Sequence, residues 1–491
     1  MVKDYIDLAS DRLRGHVLAV SSEIDGSARR LLQSSCPDAL FEGNKRLKET
    51  SDAWFTRRRS SGNEWVVVRL GVPGLVRELV VGTRGVGTDC PGFASVEGCV
   101  APHGALPEEL DGWIELLPKS AIKGDCQNRF DVLSRQRFTH LRLNVYPDGA
   151  VSRFRVLGEA LPDWTATGRT FPPYLDLAAG RNGGLVASTS ATAIGKGRHL
   201  IAPDSPTSDQ DGWVTERRRE PGCDEAAIRL AARGRIRTAV VDTHHLTDHA
   251  APAISLEAAT GWEQPEEGDW FEILPVQRLL PDTEHIFDSG FLEHGDVSWV
   301  RLKLHPAGGV SRLRLWGEVS PEGVISSRLG YLNACGEPEL HGIFMAVCHS
   351  VKFASELCEM APFESVADLQ RKGATAWSRC REKDWKESLA GHPRIGQKAS
   401  GNDLASRWSR GEQSKAATPD EAVKAELAAR QAEYEEKFGF IFLICASGRS
   451  SGEILAALNE RMEQAPEREL QTVAEELAKI IHLRLEKLLE S

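Results

Sequence analysis

Residues 391 to 413 read GHPRIGQKASGNDLASRWSRGEQ, and two of them, His392 and Glu412, are of types that move protons. His392 precedes Pro393, whose ring pushes the preceding residue out of helical geometry into an extended or turn conformation, where an imidazole can point into a cleft. A histidine titrating near neutrality suits proton transfer, and a carboxylate can orient it. Each residue also has a plainer reading. His392 could be a surface loop histidine, and Ser409-x-x-Glu412 is also a capping box at a helix start. Arg484 is a third candidate. Leu470, Val473, Leu477, Ile480, Ile481 and Leu488 form one apolar stripe at helical spacing, and Arg484 falls within it. A guanidinium aimed at a core needs a partner or a ligand, and its fork matches a carboxylate. Snorkelling from the helix end, or pairing with a structural carboxylate, is the alternative. Cys445, inside FIFLICAS, reads as a small buried hydrophobe rather than a nucleophile.

The elements that position these residues are helical. PELHGIFMAVCHSVKFASELCEM, DEAVKAELAARQAEYEEKF and ERELQTVAEELAKIIHLRLEKLL carry helical periodicity, and TPDE (418 to 421) is a helix start with proline in the first turn. An all-α domain is expected over 328 to 491. The chain before it repeats itself. THLRLNVYPDGAVSRFRVLGE (139 to 159) returns as SWVRLKLHPAGGVSRLRLWGE (298 to 318), DAWFTRRRS (52 to 60) as DGWVTERRR (211 to 219), WIELLP (113 to 118) as WFEILP (270 to 275), and YIDLAS (5 to 10) as YLDLAA (174 to 179). A period this long means tandem domains, not a solenoid of short units. Each copy is rich in short, partly alternating Val, Leu and Arg segments separated by Gly, Pro and Asp. That pattern predicts antiparallel sheets with one buried face, hence two tandem all-β jelly-roll-like sandwich domains, 1 to 165 and 166 to 325.

Composition bounds the function. At 491 residues, about three domains of roughly 150 residues are expected. The apolar fraction of 41% and charged fraction of 27% are those of a soluble globular protein. A net charge of -11 without clustered Lys and Arg argues against a nucleic-acid or membrane-surface partner. No stretch of 18 or more apolar residues and no signal-peptide core occurs, and the C-terminal LES is not a peroxisomal Ser-Lys-Leu signal, so a cytoplasmic protein is expected. Ten cysteines without a Cys-x-x-Cys pair predict free thiols and no metal site.

The helical part resembles the OHCU decarboxylases, which convert 2-oxo-4-hydroxy-4-carboxy-5-ureidoimidazoline (OHCU) into (S)-allantoin without a cofactor. The matching residues are LNAC (332 to 335), APF (361 to 363), GHPRIG (391 to 396), SRGEQ (409 to 413), EKFGFIFLICASGRS (436 to 450) and IHLRLEKL (481 to 488). The resemblance implies His392 and Glu412 as catalytic groups, with Pro393, Ser409, Gln413, Ile444, Cys445, Ala446 and Arg484 around the substrate. Loss of carbon dioxide leaves electron density on the imidazoline ring, which must then be protonated from one face to set the S configuration.

The tandem β units, about 1 to 322, resemble allantoicase, which hydrolyses allantoate to ureidoglycolate and urea. The second copy carries DGWVTERRR and VVDTHHL (240 to 246), so the resemblance points to Asp242, His245, Arg217 and Arg218 as site residues. A histidine beside a carboxylate is a workable general base for attack of water. The first copy reads GTRGV (82 to 86) at the family's DTAHF position and Phe55 at its Glu, while the second has Val214 there and Glu216 at an Arg position. The family's acidic SDE stretch is SSE (21 to 23) and STS (188 to 190). The expected function is a bifunctional enzyme of ureide breakdown acting on small-molecule ureides, with a homo-oligomer allowed. The rivals make the β half a non-catalytic scaffold or a small-ligand sensor beside an active decarboxylase.

Overall fold

The structure is a computed structural model. It describes residues 4–24, 26–34, 41–42, 45–46, 52–59, 62–166, 168–190, 192–395, 408 and 421–490. Ser409, Glu412, Gln413 and residues 418 to 420 of the TPDE helix start therefore lie outside the described residues. The chain divides into two compact units, Met1–Thr165 with Phe171–Ser327, and Ala166–Thr170 with Arg328–Ser491.

Each β repeat is organised by one 19-residue strand, Glu64–Gly82 in the first copy and Asp224–Asp242 in the second. The first half of Glu64–Gly82 pairs with Arg137–Tyr146 and His16–Val20, and the second half with Arg153–Ala160 and Gln127–Asp131. One strand thus turns the corner between the two layers of a sandwich, with register shifts at the bend. The bend falls at GVPG (71 to 74), where a Cβ on Gly74 would lie 2.2 Å from the Glu159 carbonyl oxygen. The second copy does the same at Gly234 against Glu318, at 2.2 Å. Alternation then sends Val66, Val68, Leu79 and Val81 inward, all at 0% exposure. Burying each contributes roughly 1.5–3 kcal/mol.

The repeated Asp-x-Trp motif is structural in both copies. Trp54 and Trp213 are wholly buried, and their indole N–H groups donate to Ser22 O at 2.9 Å and Thr192 Oγ1 at 3.1 Å. Asp52 accepts from Arg153 Nη2 at 2.6 Å, and Asp211 from Arg312 Nη2 at 3.0 Å. The arginine of each repeated VSR segment therefore neutralises the aspartate of each Asp-x-Trp, with both charges buried. The two copies meet through Arg12 on Asp211 (2.7 Å), Arg198 on Asp4 (3.0 Å) and Arg229 on Glu159 (2.8 Å).

In the helical unit the described helices are α1 (Pro321–Ala334), α2 (Glu337–Cys348), α3 (Val351–Glu359), α4 (Val366–Ser378), α5 (Glu382–Ala390), α6 (Glu421–Phe438), α7 (Ser451–Arg461) and α8 (Pro466–Glu490). Ser350, Ser365 and Ser450 cap α3, α4 and α7 by accepting from the N–H three residues on. The apolar stripe predicted for the last helix is the buried face of α8. On α4, Trp377 Nε1 donates to Ala474 O of α8 at 3.1 Å, and Gly373 allows close approach, since a Cβ there would meet Leu485 at 2.3 Å.

Candidate active sites

In the helical unit, α5 ends at Ala390 with Gly391 as its C-cap, and Pro393, having no N–H, prevents its continuation. The turn between them places His392. Its Nδ1–H donates to Ser388 O at 2.8 Å, which leaves Nε2 with its lone pair. Ser388 is itself held, because its hydroxyl donates to Cys348 O at the end of α2. One residue on, His349 adopts φ 53° and sets its ring 5.6 Å from that of His392, inclined at 68°. A Cβ on Gly391 would lie 2.4 Å from His349 Cγ, so only glycine fits there.

Arg484, 1% exposed, reaches the same point from α8. Its Nη1 donates to Val347 O at 2.9 Å and to His392 Nε2 at 3.3 Å. The third wall is the extended segment after α6. Cys445 N–H donates to the buried Glu476 at 2.8 Å, and Leu443 O accepts from Arg461 Nη1 at 2.8 Å. Arg461 is neutralised by Glu469 (Nε to Oε1, 2.8 Å), which also accepts from Tyr434. These groups enclose a cavity of about 40 Å³ whose lining includes His392, Pro393, Ile444, Cys445, Ala446 and Arg484. Six residues expected around one substrate are thus brought together. Cys445 is half-buried rather than buried.

One expectation changes. His392 does not titrate near neutrality here: burial first, and the Arg484 guanidinium second, push it down to about 3. The imidazole is neutral, and a carboxylate set against Arg484 would offset part of that depression. The Arg461–Glu469–Tyr434 network was not read from the sequence, where its members look like ordinary charges on amphipathic helices.

In the β unit, Asp242 ends its long strand 5% exposed. The sequence reading set His245 beside it, but the imidazole that touches Asp242 is His244, whose Nδ1 lies 2.7 Å from Oδ1. His245 instead takes φ 67° in the turn that follows, with its N–H on Asp282 (2.8 Å) and its ring Nε2 near Pro206 O (3.2 Å). The first copy makes the same turn with Gly85 at φ 75°, whose N–H donates to Asp125 at 2.9 Å. Arg217 is exposed, and Arg218 pairs with Asp224 at 2.7 Å. In the first copy Arg57 and Arg58 likewise reach Glu64 (3.8 Å) and Asp89 (3.1 Å) from exposed positions.

A different cluster lies between the two copies, around a cavity of about 110 Å³ lined by Asp7, Arg12, Arg155, Arg181, Arg198 and His199. The sequence offered a trace of it, since YIDLAS and SRFRVLGE, which carry Asp7 and Arg155, are both repeated motifs. Its assembly from two copies was not visible in either alone. Among the described residues no group of three or more His, Cys, Asp or Glu could hold a metal ion. No described helix is long and apolar enough to cross a membrane.

The comparisons agree with this division. The allantoicase repeat model matches residues 6–161 and 175–320, and the OHCU decarboxylase model matches 333–486. A probable allantoicase of Pseudomonas aeruginosa (strain UCBPP-PA14) is 38% identical over 64% of this chain and 96% of its own length. A probable allantoicase of Streptomyces avermitilis is 37% identical over 65% and 87%. The crystal structure of allantoicase from Saccharomyces cerevisiae superposes with a TM-score of 0.54 at 28% identity, covering 64% of this chain and 93% of that one. A crystal structure of OHCU decarboxylase in the presence of (S)-allantoin is 35% identical over 30% of this chain and 97% of its own, with a TM-score of 0.27. The chain belongs to the allantoicase family over residues 6–320 and carries an OHCU decarboxylase domain over residues 333–486.

Proposed function

We propose that the chain is a bifunctional enzyme of ureide breakdown, decarboxylating OHCU to (S)-allantoin in its helical unit and hydrolysing allantoate to ureidoglycolate and urea in its β unit. The observation that carries the first activity is the meeting of His392 Nε2 and Arg484 Nη1 at the wall of one small cavity. A planar cation is suited to a substrate carboxylate. When the bond to that carboxylate breaks, carbon dioxide leaves and the electron pair spreads over the ring. The carbanion needs a proton delivered from one face. His392 offers one orientation for this, because Nδ1–H is committed to Ser388 and Nε2, a bare lone pair in the free protein, is the nitrogen that can take up a proton and pass it on once a substrate carboxylate has engaged Arg484. Neither step calls for a cofactor.

The nine described cysteines are free, which suits a reducing compartment such as the cytoplasm. The test is direct. Freshly generated OHCU is mixed with the whole chain and the optical activity of (S)-allantoin is followed, while urea is assayed after addition of allantoate. Racemic allantoin at the uncatalysed rate would refute the first activity, and no urea above background would refute the second.

A further inference from the structure

The cavity between the two β copies is built from residues at equivalent positions that have been put to different uses. YIDLAS–DR and YLDLAA–GR align Arg12 with Arg181, and Arg12 is fully engaged: Nη1 on Asp211 (2.7 Å), Nε on Ser34 (2.7 Å) and Nη2 on Thr207 (3.2 Å). Arg181 lines the same cavity at an exposed position and has no acceptor among the described residues. A similar divergence separates SARRLLQ (27 to 33) from KGRHLIA (196 to 202), where Arg30 of the first copy corresponds to His199 of the second. Arg30 reaches Asp52 (3.4 Å), whereas His199 turns its Nδ1–H onto Gly212 O (3.2 Å) and has no partner for Nε2 among the described residues.

The other charges are spent on structure. Arg155 holds Asp7 (3.4 Å) and the Gln33 carbonyl, and Arg198 holds Asp4 (3.0 Å). Arg12, Arg155 and Arg198 are each paired with a carboxylate, so of the charged residues lining the cavity Arg181 is the guanidinium left to favour an anion. A volume of about 110 Å³ is well above the ~10–15 Å³ that one water requires.

We propose that this cavity is the ureide site of the β unit, with Arg181 receiving the substrate carboxylate and His199 Nε2 acting as general base on water. This rests on the hydrolase reading above. The step needs only water: its oxygen bonds to the carbon bearing the two ureido groups, one C–N bond breaks, and the proton taken by His199 passes to the departing urea nitrogen. No oxidation occurs. His199 is kept in the form the step needs, since burial first and Arg198 second push it down to about 4.

The test uses the full chain with allantoate as probe, and (S)-allantoin formation by the helical unit as an internal control. Arg181→Gln should raise KM about tenfold to a hundredfold with kcat little changed, the scale of a lost charged hydrogen bond. His199→Gln should lower kcat about a hundredfold or more and remove an acid limb of kcat/KM lying near pH 4 instead of near 6.5. Arg181 is exposed, so its variant should fold even if the His199 variant does not. If the wild type releases urea and Arg181→Gln matches it in KM and kcat, the cavity is the wrong place and the hydrolase reading stands. If the wild type releases none, calorimetric titration with allantoate decides. Heat that disappears in Arg181→Gln keeps the ligand site without hydrolysis, and no heat with the wild type overturns the site as well.

Discussion

Arg484 Nη1 lies 3.3 Å from His392 Nε2, so the base nitrogen of a half-buried imidazole accepts from a buried guanidinium contributed by a different element, α8. The contact explains two properties together. It orients the ring from the side opposite Ser388, and it holds the imidazole neutral until an anion reaches the arginine. A substrate carboxylate would meet both groups in one movement, which couples binding to the availability of the proton.

His392→Asn should therefore abolish most (S)-allantoin formation while the helical signal in circular dichroism is retained. Turnover equal to wild type would remove His392 from the chemistry.

Arg484→Met keeps the length and the apolar stripe but removes the charge. The OHCU KM should rise about tenfold to a hundredfold, and stability should fall by about 1 kcal/mol because Val347 O loses its donor. A variant that melts far earlier with intact kinetics would make Arg484 purely structural.

The pH dependence follows from the sign of the shift. His392 binds its proton near pH 6.5 when unfolded and near 3 when folded, so the stability it contributes is fully present above 6.5 and is lost as the pH falls toward 3. For one proton the slope is about 1.4 kcal/mol per pH unit in that window. Denaturant unfolding of wild type and His392→Asn at pH 4 and pH 7, followed by the helical signal, should show a smaller pH effect in the variant. Equal pH effects would show that His392 is not the group titrating.

Much of this was legible in the sequence, for identifiable reasons. Repeats and alternation report on sheets because side chains alternate strictly across a strand, and the stripe on α8 reported its buried face, Arg484 included, because helical spacing is regular. The pocket of the helical unit was legible from a resemblance spread over several motifs. What could not be read was pairing across space. VVDTHHL offers two adjacent histidines, and only the left-handed turn at His245 decides that His244 faces Asp242. Arg12 and Arg181 look alike in the chain, and only the packing of one copy on the other commits the first and leaves the second. Asp52 and Asp211 sit in a repeated motif, and only the folded chain shows that the repetition reflects buried ion pairs.

Those ion pairs carry a prediction of their own. Asp52→Ala leaves Arg153 buried without its carboxylate and should destabilise the β unit by about 3–5 kcal/mol in chemical denaturation. Asp211→Ala should cost less, since each aspartate also holds a second arginine, Arg30 on Asp52 and Arg12 on Asp211, but among the described residues only at Asp211 does another carboxylate, Asp204, stand within 3.5 Å of both arginines. A loss near that of a surface pair, about 0–1 kcal/mol, would contradict the burial of these charges.

The turn after the second long strand separates the two places where the hydrolase chemistry could sit. His245 holds φ 67°, a conformation that L-residues adopt at some cost, and the first copy fills the same position with Gly85 at φ 75°. His245→Gly keeps the turn, relieves that cost and removes the imidazole. With the reaction in the cavity between the copies, this variant should release urea from allantoate within about threefold of wild type and should be as stable or slightly more so, because glycine takes positive φ freely. His244→Ala should be tolerated similarly in rate, although Asp242 then loses its ring partner and keeps the backbone N–H at 2.8 Å. Loss of urea release in His245→Gly, with wild-type kinetics in Arg181→Gln, would put the chemistry back at the Asp242 turn.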